Sequence, residues 1–344
     1  MSGRYQDALD VQARWLGWMQ SPRGDSLWQQ MFKLGVEAAS VKDAARMHSD
    51  GRYITEVEQA FFATPLKHGD VYYVGKEFCR LVEHARESLP DATFDPRLLL
   101  SRVGFVYFET PFEMPLTSER RKMMAAMQGA RERILIRAFG WVPVLAKRKD
   151  EPQGSESERV EFVMYEEPDK YPSGSIGELA TGYFWPVSFF AMKAGEVLSI
   201  RMKEFEGVAE EQSDGSRYVW ETDEIWRHEM RLVYTLLLLA NQRVAKVKHG
   251  PLDRATRRRF ERETGSEPPK HVKVITLRRY DDRAKVAEPG EVDWQYQWDV
   301  RGHWRWQWYP SLGYHQSIWI EPFTKGPPDR PFKADQRRVF AVVR

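Results

Sequence analysis

The sequence predicts an α+β protein with a helical N-terminal region, a mostly antiparallel central sheet, a long core helix and aromatic-rich C-terminal strands. Three observations lead to this fold class. Apolar residues recur at helix spacing in the first ninety residues. From residue 101 onward, short apolar runs and period-two patterns are enriched in aromatic and β-branched side chains. After residue 222, a long apolar helix pattern precedes a basic helix and tryptophan-rich strand patterns.

Two N-terminal segments carry the helix pattern. Ser26 can cap a helix over residues 27–39, in which Leu27, Met31, Leu34 and Ala38 recur at helix spacing. The segment 71–89 stops before Pro90 and aligns one apolar stripe, formed by Val74, Phe78, Leu81, Val82 and Ala85. Cys79 lies beside this stripe. No basic, partly exposed environment is evident around it, so we expect a packing residue rather than a nucleophile.

The central region reads as strands. Four segments combine period-two alternation or short apolar runs with β-forming side chains, at residues 103–109, 134–145, 160–167 and 197–205. A helix over residues 118–133, with Ser118 as a possible cap, is expected to lie across the sheet.

The C-terminal third begins with the long core helix. Thr222 is its expected cap, and apolar positions follow at Trp226, Met230, Val233 and Leu237. We expect it to run through Ala240 and to end after Lys246 and Lys248, before Gly250 and Pro251.

A strongly basic helix is predicted next, with Asp253 as its cap and Gly265 as its terminator. The following segment, 271–280, alternates and is predicted to be a strand.

Length and composition limit the organisation of the chain. At 344 residues and 42% hydrophobic content it can bury a substantial core. We divide it into a helical region (1–95), a central sheet region (96–221) and a region with the core helix, basic helix and aromatic strands (222–344), or one interwoven domain. A single cysteine and no basic-then-apolar leader favour the reducing cytoplasm. The longest apolar run, residues 236–240, predicts no membrane-spanning helix.

Basic residues are concentrated in the last third of the chain. Residues 243–344 carry 22 Lys plus Arg against 13 Asp plus Glu, so this part has a net charge of +9 within an overall charge of +2. The surplus is densest at 243–283, with 13 basic and 6 acidic residues. Because phosphate contacts from Lys and Arg supply most non-specific nucleic-acid affinity, the pattern favours a surface for a polyanion. The alternative is a solvated helix face, partly offset by Glu261, Glu263 and Glu267.

The most distinctive segment is 301–332. Of the 13 Trp in the chain, six lie near it: Trp294, Trp298, Trp304, Trp306, Trp308 and Trp319. A strand over 303–309 would place the three indoles of Trp304, Trp306 and Trp308 on one face. It would place His303, Arg305, Gln307 and Tyr309 on the other. This combination suits stacking of a base with hydrogen bonding to its edge or phosphate. The alternative is that Trp304 and Trp308 are ordinary sheet-core residues.

A resemblance extends over most of the chain. It is carried by Gly302-His303-Trp304-Arg305, Gln307-Trp308-Tyr309-Pro310-Ser311, His315, Trp319-Ile320 and Lys325-Gly326-Pro327, a GHWRxQWYPS…H…WI…KGP pattern preceded by ITLRR, and by SLPDATFDP and GFVYFETPF near residues 88–112. These residues resemble uncharacterised proteins found in actinobacteria and their phages and plasmids. Where this chain has Trp306, that family commonly has a small polar residue. The resemblance implies a mobile-element setting but no activity.

Several enzyme classes lack their motifs here. The sequence has no Walker-type phosphate loop, His-Glu-x-x-His, paired Cys-x-x-Cys or G-x-S-x-G motif. Its acidic clusters lack a specific ligand spacing, so we expect no metal site and no cofactor.

Together these features predict a protein that binds nucleic acid through its basic C-terminal third. The expected contacts are phosphate or base-edge donors, namely Arg257, Arg258, Arg259, Arg278, Arg279, His303 and Arg305. One alternative is an enzyme acting on a nucleotide or phosphorylated substrate, with His303 and His315 as acid/base candidates and Arg305 neutralising charge. Another is a protein-interaction regulator of phage or host. Burial distinguishes them: an open aromatic and basic face favours nucleic acid, and a deep polar pocket favours an enzyme.

Overall fold

The computed structural model describes residues 5–19, 21–26, 62–115, 133–146, 157–166, 185–196, 209–211, 217–219, 224–278, 295–310 and 313–331. The chain divides into two compact units, residues 1–277 and residues 278–344. The first unit contains a mixed sheet with helices, and the second contains small antiparallel sheets.

The elements of the first unit follow one another in this order: α1 (Gln6–Met19), β1 (Asp70–Val74), α2 (Lys76–Glu87), a 3-10 turn (Pro96–Leu98), β2 (Gly104–Pro115), β3 (Arg133–Ala146), β4 (Ser157–Glu166), β5 (Trp185–Lys193), β6 (Ala209–Glu211), β7 (Arg217–Val219), α3 (Glu224–Ala240), β8 (Ala245–Pro251), α4 (Arg254–Thr264) and β9 (His271–Leu277). Residues 62–68 are also helical.

Seven of these strands form one sheet in the order β5-β4-β3-β2-β1-β9-β8. Strand β1 is an interior strand and runs parallel to both of its neighbours, β2 and β9, while the other pairings are antiparallel. The parallel step from β1 to β2 requires a crossover, which α2 supplies. The sheet therefore draws strands from all three regions that the sequence analysis delimited.

One face of the sheet packs under α1 and α4. Side chains from alternate positions of β1 and β2, namely Val71, Tyr73, Phe105 and Tyr107, join one apolar cluster with Leu9, Trp15, Leu16 and Phe260 from these helices. The Trp15 and Tyr165 rings meet edge to face with centroids 5.8 Å apart. Helices α1 and α4 also contact each other, so they form one layer.

Helices α2 and α3 pack against each other and against β2. Among the described side chains, neither helix contributes to the cluster beneath α1, so we place both on the opposite face of the sheet. The core there is rich in aromatic rings, with Phe108 beside Phe139 and Phe139 beside Trp141, each pair 5.8 Å apart. The first unit thus buries a central sheet between two helical layers.

The second unit is built from short strands: β10 (Trp298–Val300), β11 (His303–Tyr309), β12 (Tyr314–Ile320) and β13 (Phe323–Lys325). Strand β11 pairs with β12, and β10 pairs with β13, both in antiparallel register. We call the β11–β12 pair, residues 303–309 and 314–320, the aromatic ribbon. Strand β11 matches the predicted strand over 303–309 residue for residue.

The α+β prediction is confirmed, as are several of its elements. The strands expected from 103, 134 and 160 onward are β2, β3 and β4. The basic helix is α4, with Asp253 accepting a hydrogen bond from the Thr256 N–H and Gly265 ending it in the left-handed region (φ 64°). Cys79 is buried, as expected for a packing residue.

The predicted helix over 71–89 is wrong in its first part. Residues 70–74 form strand β1, and the helix begins only at Lys76. The four residues Val71 to Val74 are all buried, which is typical of a strand covered on both faces. Such a continuous apolar run resembles a buried helix segment, because periodicity does not distinguish the two.

The predicted end of the core helix is also wrong. Helix α3 stops at Ala240, and Lys246 and Lys248 lie on β8. The Asn241 amide ends the helix by donating to the carbonyls of Leu237 and Leu98. Pairing with β9 then satisfies the backbone of residues 245–251, which a single-chain pattern did not reveal.

Other predicted elements fall outside the described residues: the helix over 27–39, the helix over 118–133 except for Arg133, which begins β3, the strand over 197–205, and the cap at Thr222. Within the part of the chain that is described, no helix is long and apolar enough to cross a membrane.

Candidate nucleic-acid interface

Helix α4 presents the densest group of arginines, and its ends are fixed by local sequence. The Asp253 side chain caps the first turn by accepting a hydrogen bond from the Thr256 N–H. This hydrogen bond lowers the pKa of the Asp253 carboxyl. The buried residues Thr256, Phe260 and Thr264 recur every four positions and face α1. The remaining positions of this helix are thus free to carry charge.

The three consecutive arginines that the sequence singled out do not form one surface. Arg259 turns toward α1, where its guanidinium pairs with Asp10. Arg257 is exposed, and its Nη2 donates to the Lys270 carbonyl at 3.2 Å. Arg258 is exposed on another side of the helix. Successive residues on a helix point in different directions, so only two of the three face solvent fully.

The Arg259–Asp10 pair has a structural role. Burial raises the pKa of the Asp10 carboxyl above its ordinary value of 3.8, although the adjacent Arg259 acts in the opposite direction. The pair joins α1 to α4 across the layer that covers the sheet. We therefore assign Arg259 to packing rather than to ligand contact.

A different set of arginines shares one exposed face of α4. Arg254, Arg258 and Arg262 lie four residues apart and are all exposed. We call these three residues the arginine stripe. Like charges at this spacing destabilise a helix by a few tenths of a kcal/mol, roughly 0.2–0.5 per pair, so the stripe is not explained by helix stability. The i, i+4 spacing is a sequence signal for this stripe, which the prediction based on three adjacent arginines missed.

Two further predicted contacts, Arg278 and Arg279, follow the end of β9, and the structure describes only the first of them. Arg278 is exposed and is the first residue of the second unit. Arg279 lies outside the described residues.

The aromatic ribbon separates its side chains by face. Opposite partners in an antiparallel pair point to the same side, so the pairings Trp304–Trp319, Trp306–Ser317 and Trp308–His315 define one face. We call this the indole face. The pairings His303–Ile320, Arg305–Ile318 and Gln307–Gln316 define the other, or polar, face. This is the alternation that the sequence predicted.

The indole face is open at one end. Trp306 and Trp308 are 57% and 45% exposed, among the largest apolar exposures in the described residues. The His315 ring lies beside both indoles, nearly parallel to Trp306 at 5.9 Å and inclined to Trp308 at 4.9 Å. Three aromatic rings therefore meet at the surface. The alternative interpretation of Trp308 as a sheet-core residue is therefore wrong.

The other end of the indole face is packed. Trp319 is 6% exposed and meets Trp304 edge to face, with centroids 5.4 Å apart. Gly302 allows this packing, because a Cβ at that position would clash with the Trp319 ring. The core interpretation therefore fits Trp319 and part of Trp304, but not the rest of the face.

On the polar face, the hydrogen-bonding groups are largely satisfied within the ribbon. Arg305 Nη2 donates to Gln307 Oε1 at 2.7 Å, and Gln307 Nε2 donates to the Trp308 carbonyl at 2.9 Å. His303 Nδ1 lies 3.0 Å from the Arg301 carbonyl oxygen. His303 and Arg305 are exposed, so they can exchange these contacts for a ligand.

The enzyme interpretation named His303 and His315 as acid/base candidates, with Arg305 neutralising charge. The register places His303 on the polar face and His315 on the indole face. The two imidazoles are therefore not brought to one side of the ribbon, and Arg305 accompanies only the first of them. Elsewhere, burial raises the pKa of the Cys79 thiol to about 11, which leaves it unsuited to act as a thiolate nucleophile at neutral pH.

Comparison with known proteins gives little. No family model matches the chain, and neither does a curated protein. Among solved structures, the crystal structure of AcrVA2 is similar to this chain, with a TM-score of 0.40 and 13% sequence identity over 86% of this chain and 85% of that chain. A similarity of this size carries no information on function.

Proposed function

We propose that this protein binds nucleic acid, with the aromatic ribbon of the second unit as a principal contact surface. The observation that carries the proposal is the open end of the indole face, where Trp306, Trp308 and His315 present three ring systems to solvent. Exposed indoles are costly to keep in water and are rarely grouped without a partner. Bases supply flat π surfaces that stack on such rings.

Charge near the ribbon fits the same partner. Arg301 and Arg305 are exposed at the start of β11, and Lys325 of β13 lies over the Trp298 ring at 5.7 Å. Cations beside aromatic rings can contact phosphates while the rings hold bases.

The arginine stripe supports the proposal independently, from the first unit. Three exposed guanidinium groups on one face of α4 form a row that is suited to a phosphate backbone. In this proposal Arg258 keeps the role that the sequence analysis gave it, and Arg254 and Arg262 join it. Arg257 stays a candidate contact, while Arg259 is replaced.

The biological setting is a further part of the proposal. The resemblance of the C-terminal pattern to proteins of actinobacteria, their phages and plasmids leads us to propose a mobile-element role, in which nucleic acid is an available ligand.

The test is a titration of the purified protein against labelled single-stranded and double-stranded DNA and RNA at several salt concentrations. We expect binding that weakens as salt rises, with a logarithmic slope that falls by about 0.7–0.9 for each phosphate contact removed. Arg258→Ala with Arg262→Ala should flatten the slope. Glu261→Gln, on the same helix, is the control and should not flatten it.

The proposal would be contradicted if the dissociation constants for all four nucleic acids were above about 1 mM at low salt. The exposed aromatic rings would then favour the third interpretation, a protein partner, since Trp and Arg also dominate protein interfaces.

A further inference from the structure

The division of the aromatic ribbon into two faces bears on the kind of nucleic acid, and this inference rests on the proposed function. Sequence-specific reading of bases uses hydrogen-bonding side chains directed at base edges. On the ribbon, most residues of that type lie on the polar face, namely His303, Arg305, Gln307 and Gln316; the indole face has one, His315, whose ring lies beside the two exposed indoles. The indole face carries Trp306 and Trp308 with His315.

The hydroxyl group of Ser317, on the indole face, is buried. Ser317 lies opposite Trp306 and is 4% exposed. A base lying on the two indoles would therefore meet π surfaces and one imidazole. Every base has a π face of similar size, so such a surface discriminates poorly among bases.

The faces of bases inside a duplex are covered by their neighbours, whereas unpaired bases can leave the stack and lie on a side chain. From these points we infer that the indole face binds single-stranded nucleic acid by stacking, with little preference among the bases. Trp306 and Trp308 stack on the bases, and the His315 ring packs beside both indoles and keeps them in position.

The experiment measures fluorescence anisotropy of labelled homopolymers of each base, roughly 12 nucleotides long, and of a duplex of the same length. We expect all four homopolymers to bind within about threefold of one another, and the duplex to bind about tenfold more weakly. Trp306→Ala and Trp308→Ala should each weaken homopolymer binding about tenfold. Trp308→Phe should restore most of the affinity, because a phenyl ring still stacks.

Phe323→Ala is the matched control, since Phe323 is an exposed aromatic of the same unit outside the ribbon, at 45% exposure. It should leave affinity unchanged, and denaturation midpoints of all variants would confirm that they fold. Equal binding of the duplex, discrimination of more than about tenfold among bases, or no effect of either tryptophan variant would overturn this inference while the proposed function stands. No binding to any nucleic acid would overturn both.

Discussion

Trp15, Trp141 and Tyr165 in the first unit have no exposed surface, whereas Trp306 and Trp308 in the second are about half exposed. Both units place these rings on strands or on helices packed against strands, and both use alternation to sort them by face. The difference lies in what covers each face. In the first unit helices lie on both sides of a seven-stranded sheet.

In the second unit, the described residues form two-stranded sheets of short strands and no helix. A two-stranded ribbon has too few neighbours to bury large rings along its whole length. The Trp304 and Trp319 rings pack against each other, and the backbone at Gly302 covers part of the Trp319 ring. The same residue type and pattern can thus form a core in one place and a surface in another. Four sets of variants test it.

The largest difference is expected between two tryptophans. Trp141→Ala removes a buried indole that also donates from Nε1 to the Ser101 carbonyl at 2.9 Å, so unfolding should cost about 3–5 kcal/mol less free energy. Trp308→Ala should change stability by less than about 0.5 kcal/mol. Guanidinium denaturation followed by circular dichroism measures both. Similar losses for the two variants would show that the open indole face is a packing surface.

A matched pair of glycines gives a smaller contrast. A Cβ at Gly104 would clash with the Trp141 ring, and a Cβ at Gly302 would clash with the Trp319 ring. Gly104→Ala should destabilise by about 1–3 kcal/mol, because Trp141 is enclosed on both sides and cannot move. Gly302→Ala should cost less than that, since the rings of a two-stranded ribbon can shift outward. Thermal unfolding of each variant checks the order, and the reverse order would contradict this account of the cover.

Burial should also separate two adjacent arginines. Arg259→Ala removes the ion pair of the partly buried Asp10 carboxylate and should destabilise by about 1 kcal/mol. Arg258→Ala, on the exposed stripe, should be within about 0.5 kcal/mol of the parent. Urea midpoints give the comparison. Equal effects of the two variants would show that the Arg259–Asp10 pair adds nothing to folding.

The smallest expected effect is the pH dependence of stability that comes from His271, on β9 beside the edge strand β8. Partial burial, with His249 stacked at 4.0 Å and Lys273 nearby, lowers the pKa of His271 below its ordinary value of 6.5; Asp70 acts the other way and Lys270 adds a minor repulsion. Protonation of His271 therefore favours the unfolded chain, and stability is lost as pH falls below 6.5. Melting temperatures from about pH 7.5 to about pH 5.5 should fall less steeply in His271→Gln. An identical slope in that variant would exclude this contribution.

Local sequence was sufficient wherever a short-range signal fixed the geometry. The Asp253 cap and the Gly265 terminator bounded α4, and strict alternation gave both the limits of β11 and the membership of its two faces. The sequence was misleading at residues 71–74 and 241–251, where the partner strand decides whether a run is a helix or a strand. The alternation of the strand predicted which face His303 and Arg305 occupy. It did not predict that Trp306 and Trp308 would be exposed to solvent.

By itself, then, the sequence determined the α+β class, the basic helix and the alternation of the aromatic ribbon, because caps, turns and period-two patterns act over a few residues. The tertiary structure alone decided which aromatic rings are covered, that Arg259 pairs with Asp10, and that His303 and His315 lie on opposite faces. Those properties depend on strand register and on layers supplied by residues far away in the chain, which no local pattern encodes.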